Sequence, residues 1–130
     1  MSEPVWIRQD VVLAMHDEAL LLHGGPEGVR DLGLLESALA RPKNLLAYSE
    51  LPASLAELAA AYAKGIVANY PFVDGNKRAA FTVSVTFLRI NGLRLTAAKE
   101  DCVLKFWALA AGEISEAELA LWFAENTAAL

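Results

Sequence analysis

At 130 residues, with 55% hydrophobic and 21% charged side chains, the chain is long enough for one domain with a real core and lies outside the disordered regime. Sixteen acidic against eleven basic residues leave a net charge of −5, which argues against nucleic acid as the principal ligand, since a phosphate backbone calls for a broad basic face. Cys102 is the only cysteine, so no intrachain disulfide can form and a reducing compartment is favoured.

Met1-Ser2-Glu3-Pro4 lacks the basic and apolar regions of a signal peptide. No apolar run approaches the ~18 residues of a membrane span. The expected location is cytoplasmic, with no membrane partner. Residues 5–9 read as a short extended lead-in. Asp10 is placed to N-cap a helix from Val11 to about His23, closed by Gly24, with Val12, Met15, Ala19 and Leu22 recurring at helical spacing. His16 and His23 read as helix-end or internally satisfied histidines rather than catalytic ones. Gly24-Gly25-Pro26-Glu27-Gly28 is a tight loop able to approach another backbone closely, and it lacks the P-loop pattern.

A second helix is expected from Leu32 to Arg41, stopped by Pro42. Residues 43–53 show no clear helical period. A linker and a short hairpin or flap are equal readings there, the flap placing Ala47, Tyr48 and Ser49 against a partner. Ser54 and Glu57 form a capping box for a helix to about Asn69, whose alanines permit close helix approach. Asn76 to Asn91 is apolar on nearly every face, which marks a buried helix and the expected centre of the fold, closed by Gly92. Leu93-Arg94-Leu95 reads as a brief extended link. Ala98 to Ala111 forms a helix that takes Cys102 inward as a core residue, and Ser115 with Glu118 caps a last helix to about Asn126. The expected architecture is a single all-α domain over 1–130, with about six helices around residues 76–91.

Between two of these helices lies Asn69-Tyr70-Pro71-Phe72-Val73-Asp74-Gly75-Asn76-Lys77-Arg78. Tyr70 should be extended, because the following proline disfavours helical geometry. Asp74-Gly75-Asn76 is turn chemistry, and Phe72 is expected to face inward. Gly75 lets a ligand approach the main chain, and the first amides of the following helix have no intrahelical partner. Arg78 can clamp a phosphate with two parallel hydrogen bonds, Lys77 adds a point charge, and Asp74 is the natural Mg²⁺ ligand. The competing reading is a capped helix whose early charges are solvated.

Tyr70-Pro71-Phe72-Val73-Asp74-Gly75-Asn76-Lys77-Arg78 resembles the Fic/Doc motif H-x-F-x-[DE]-G-N-[GK]-R. His16-Asp17, Gly24-Gly25 with Gly28, Leu35-Glu36-Ser37-Ala38-Leu39 with Pro42, and Phe87-Leu88-Arg89 with Asn91-Gly92 resemble the Doc (death-on-curing) branch. The resemblance implies the Fic/Doc fold and an ATP- and Mg²⁺-dependent toxin that phosphorylates a threonine of elongation factor Tu, restrained by a Phd-like antitoxin, because no [ST]-x-x-x-E-[GN] inhibitory helix is found. It implies that Asp74, Asn76, Lys77 and Arg78 serve catalysis, with Gly75, Asn76, Lys77 and Arg78 on the nucleotide. AMP-transferring Fic proteins usually read G-N-G-R-x-x-R. Lys77 and Phe81 depart from that pattern, so AMP transfer is the less favoured chemistry.

Tyr70 stands where the family's histidine, its general base, belongs. Free histidine titrates near ~6.5 and free tyrosine near ~10, and a positioned base contributes typically ~10²–10⁴-fold. Phosphoryl transfer is therefore expected to be weak or absent while the nucleotide pocket survives. A non-catalytic pseudoenzyme that binds an antitoxin or other protein is the alternative.

Overall fold

The computed structural model describes residues 3–25 and 28–130. Six helices carry the chain: α1 (Gln9–His23), α2 (Leu32–Tyr48), α3 (Leu55–Asn69), α4 (Asn76–Ile90), α5 (Lys99–Ala110) and α6 (Glu116–Glu125). Two three-residue strands, β1 (Leu93–Leu95) and β2 (Thr127–Ala129), pair antiparallel with Leu93 opposite Ala129. The all-α expectation holds, with this small ribbon added. Leu93-Arg94-Leu95 is extended as its alternation suggests, but its partner at the C-terminal end carries no comparable pattern.

The centre of the fold is α3, not the helix after the loop. Ten of its residues are buried, among them Ala59, Ala60, Ala61, Tyr62 and Ala63 at 0% exposure. α2, α4 and α6 all pack on it. Alanine on every face lets three helices approach at once, which bulkier side chains would forbid. In α4 the buried positions, Asn76, Ala79, Ala80, Val83, Ser84, Phe87 and Leu88, form one stripe, so its apolar composition overstates its enclosure. The capping boxes of Ser54 with Glu57 and of Ser115 with Glu118 both form, each with the two reciprocal hydrogen bonds at 3.1 Å.

Two helix boundaries differ from expectation. α1 starts two residues earlier, with Arg8 at its N-cap, and Asp10 sits inside the first turn, where it accepts from the Val11 amide at 3.0 Å and pairs with Arg8. More consequential, α2 does not stop at Pro42 but runs to Tyr48. Leu35, Ala38, Leu39 and Pro42 are buried and Leu45 and Leu46 pack against the same core, so the helical stripe continues through the proline. A mid-helix proline frees the carbonyl four residues earlier, here Ala38. That carbonyl lies against Gly65 of α3, where a Cβ would stand 3.1 Å from it and 3.1 Å from the Ala38 Cα. The close approach of the two helices thus accommodates the kink-prone turn. Ala47 and Tyr48 are the last turn of this helix and Ser49 is its C-cap; no flap or hairpin forms there.

Cys102 is buried, as expected of a core residue, and burial followed by the nearby Asp101 and Glu100 carboxylates holds its thiol above the usual range. Among the described residues, no helix is long and apolar enough to cross a membrane.

Replacing Gly65 by leucine should force α2 and α3 apart and destabilise the fold by roughly 1–3 kcal/mol, the usual cost of overpacking. Urea denaturation checks this; an unchanged midpoint would show that the helices do not depend on the close contact.

Candidate functional site

The loop of residues 70–75 turns the chain from α3 into α4. Its first residue is unusual: Tyr70 caps α3 in the left-handed region at φ 48°, ψ 54°, and it is the only non-glycine residue at positive φ among the described residues. The expected extended geometry is not adopted. Proline disfavours the right-handed helical region for its predecessor, and the left-handed region, which ends a helix within one residue, is the alternative taken. For a residue with a Cβ this conformation costs roughly 1–2 kcal/mol. The Tyr70 amide still donates to Ile66 at 3.1 Å, closing the last turn.

Compensation comes from the segment before α2. Arg30 donates from Nε to the Tyr70 carbonyl at 2.7 Å and from Nη2 to the Asn69 carbonyl at 2.8 Å. The amides of Arg30 and Asp31 both donate to the Pro71 carbonyl, Val29 bridges Phe72, and the Val73 amide donates to Gly28. Within the glycine-rich stretch, of which Pro26 and Glu27 lie outside the described residues, Gly28 does approach another backbone, as the composition suggests. A Cβ on Gly25 would stand 2.7 Å from Asp74 Oδ2, and Gly25 lies at φ 111°.

Phe72 is buried, as expected, and two contacts fix the turn behind it. The Phe72 amide donates to Asn76 Oδ1 at 3.0 Å, and Asn76 Nδ2 donates back to the Phe72 carbonyl at 3.0 Å. The His16 ring stacks on Phe72 at 3.8 Å, with its Nε2 2.8 Å from the Asp74 carbonyl oxygen. A carbonyl only accepts, so Nε2 carries the proton and His16 is an internally satisfied histidine. Gly75, at φ 79°, then stands at the N-cap of α4 with no side chain to cap it. The opening amides of α4 are left without a side-chain acceptor, at the positive end of the helix dipole.

These residues form one wall of an open groove of about 1080 Å³ that continues to α5. Tyr70, Asp74, Gly75, Asn76, Lys77 and Arg78 all line it. Asp74, Lys77 and Arg78 are exposed, and no salt bridge engages any of them among the described residues. Lys77 leans across to α5, with Nζ 4.1 Å from the centre of the Trp107 ring. Tyr70 is 53% exposed, and its phenol makes no hydrogen bond among the described residues. Ala47, Tyr48 and Ser49 do not reach the groove.

The groove fits a nucleotide by its volume, its paired cations and its uncapped helix. No cluster of three His, Cys, Asp or Glu side chains that could hold a metal occurs among the described residues. Asp74 is therefore suited to Mg²⁺ only as one carboxylate shared with phosphate oxygens, the usual manner for that ion.

Against known proteins, the sequence model of the Fic/DOC family matches residues 6–88. The chain belongs to the Fic/DOC family. It is 40% identical over 90 residues to "Toxin Doc" of Mycolicibacterium smegmatis, covering 69% of this chain and 66% of that protein. It is 33% identical over 114 residues to "Protein kinase doc" of Escherichia phage P1, covering 88% and 89% respectively. Both relatives place it in the Doc branch. Within this Fic/DOC chain, the residues that sequence reasoning missed are Arg30 and Trp107. Trp107 could have been found, because it falls outside the inward stripe of Cys102, Phe106 and Leu109. Arg30 carries no local signal, since its partners lie 39 and 40 residues away.

Asn76→Ala should destabilise the protein by roughly 2–4 kcal/mol, because it leaves a buried amide and carbonyl of Phe72 unpaired. A denaturation midpoint equal to that of the unaltered chain would mean that the Asn76 bonds do not hold the loop.

Proposed function

We propose that this protein is a Doc-type toxin, restrained by a Phd-like antitoxin, whose groove binds Mg·ATP for phosphoryl transfer to a hydroxyl of a translation factor such as elongation factor Tu. The observation that carries the reading is the convergence of an uncapped helix N-terminus, Lys77, Arg78 and Asp74 on one groove rim. The resemblance of 88% of the chain to a protein named a kinase supports it.

In this reading Mg·ATP supplies the phosphoryl group and the ion's charge. The chain supplies the rest. The amides that open α4 donate to phosphate oxygens, Arg78 clamps them in a fork and Lys77 adds a charge from the α5 side. Asp74 holds the ion. Asn76 acts through the loop: both ends of its amide are engaged by Phe72, so it shapes the phosphate cradle from behind. The attacking hydroxyl must lose its proton as its oxygen bonds to the γ-phosphorus and the γ-phosphorus bond to ADP breaks, and the family resemblance puts the proton's acceptor at position 70, which lines the groove. A tyrosine there makes the transfer weak. The pseudoenzyme reading, in which the groove binds nucleotide or antitoxin without chemistry, is favoured by the same residue, whose phenol has no hydrogen-bonding partner among the described residues to take its proton. AMP transfer is less supported, because Phe81 is committed to an edge-on contact with Phe106 at 5.3 Å.

Mg·ATP should bind the unaltered chain, and Arg78→Ala should weaken that binding by ~1.5–3 kcal/mol through a lost charge-assisted contact. Calorimetry showing equal affinity for the two proteins removes the phosphate site.

Tyr70→His should raise label transfer from γ-labelled ATP to elongation factor Tu by about 10²–10⁴-fold, with none from α-labelled ATP. Arg78→Ala in that background should abolish the gain. Bound nucleotide without transfer in Tyr70→His would establish the pseudoenzyme; transfer of the α label would establish AMP transfer.

A further inference from the structure

Position 70 does chemistry only if its side chain is held toward the groove, and its own sequence works against that. Tyr70 has a Cβ, precedes a proline and is nonetheless left-handed at φ 48°. Nothing within the loop secures this conformation: the Asn76 bonds begin at Phe72, and His16 reaches Asp74. What does secure it comes from another part of the chain. The Arg30 guanidinium spans the carbonyls of Asn69 and Tyr70 at 2.8 and 2.7 Å, and its amide donates to Pro71 at 2.7 Å. Three consecutive carbonyls are thus held by one residue. The two that the guanidinium takes lie at the negative end of α3, where a cation is favoured. The planar fork matters, since its rigid geometry fixes the two carbonyls relative to each other, which an ammonium on a flexible stem does not. Arg30 is itself fixed in place: Asp31 next to it caps α2 by accepting from the Leu34 amide at 3.0 Å, and Asn69 Nδ2 donates to the Leu34 carbonyl at 3.0 Å.

We propose that Arg30 is a positioning residue for position 70: its fork across the Asn69 and Tyr70 carbonyls sets the left-handed turn that aims the residue-70 side chain into the groove. The proposal rests on the phosphoryl-transfer reading for its catalytic consequence. Arg30 does not line the groove, so nucleotide affinity should not depend on it.

Two measurements test this. In the Tyr70→His protein, Arg30→Ala should lower kcat for γ-phosphoryl transfer by about 10–100-fold, the scale of a misplaced reacting group, with KM for ATP changed less than about twofold. Arg30→Lys should recover only part of the loss. In the unaltered chain carrying ¹³C-labelled tyrosine, with the Tyr70 ring signal assigned through Tyr70→Phe, Arg30→Ala should displace or split that signal while those of Tyr48 and Tyr62 stay in place. A kcat within twofold of the parent, a rise in KM matching the fall in kcat, or an unmoved Tyr70 signal overturns the proposal. Should Arg30→Ala fail to fold, Arg30→Lys carries the same two readouts. The resonance measurement needs no turnover. If Tyr70→His proves inert, the kinase reading fails on its own, and the Tyr70 signal alone then supports the positioning role by moving or overturns it by staying.

Discussion

The paired hydrogen bonds between the Asn76 side chain and the Phe72 backbone are the constraint from which the site is built. They close the turn between α3 and α4 around a buried Phe72 ring, and an amide is the side-chain group that can satisfy an N–H and a C=O together. With that turn closed, the Asp74 carbonyl faces His16, Gly75 takes its left-handed conformation and α4 begins without a side-chain cap. Lys77 and Arg78 are then delivered to the groove by the first turn of a helix whose inner stripe is anchored in the core. A residue that looks like a ligand-facing amide in sequence thus serves the ligand indirectly.

The site concentrates features that a stability-driven sequence would avoid. A helix start is left uncapped, two cations stand without carboxylate partners among the described residues, and a tyrosine occupies a left-handed position. Each is unfavourable in isolation and becomes intelligible if an anionic ligand completes the set. The cations are local: the net charge of −5 is carried elsewhere, so the groove forms a small positive region suited to one phosphate chain. Lys77 resting on Trp107 gives that cation a defined position across the groove. Support for the loop comes from α1 through His16 and from the segment before α2 through Arg30, so its geometry depends on two elements distant in sequence.

Local chemistry was legible wherever one helix or one turn decided the outcome. The capping boxes at Ser54 and Ser115, the glycine stops at Gly24 and Gly92, the inward Phe72 and the grouping of Asp74, Gly75, Lys77 and Arg78 at one helix start all follow from neighbours within a few residues, where backbone geometry and side-chain reach are set by covalent proximity. The family motif was legible for the same reason, being one contiguous stretch.

Tertiary structure decided what no window of sequence contains. Pro42 reads as a stop, yet α2 continues, because burying Leu39 and Pro42 and packing Leu45 and Leu46 against the core outweigh one missing hydrogen bond, and Gly65 leaves room for the Ala38 carbonyl. Apolar content marked α4 as central, whereas α3 is, because enclosure depends on how many neighbours can approach and small alanines admit three. Tyr70 reads as extended from its proline alone, but carbonyl partners brought from Arg30, some 40 residues away, select the left-handed turn. Strand β2 exists only because α6 returns the chain beside β1. In each case the deciding energy lies between residues far apart in the chain, and local propensity, being worth about 1 kcal/mol or less for most residues, yields to it.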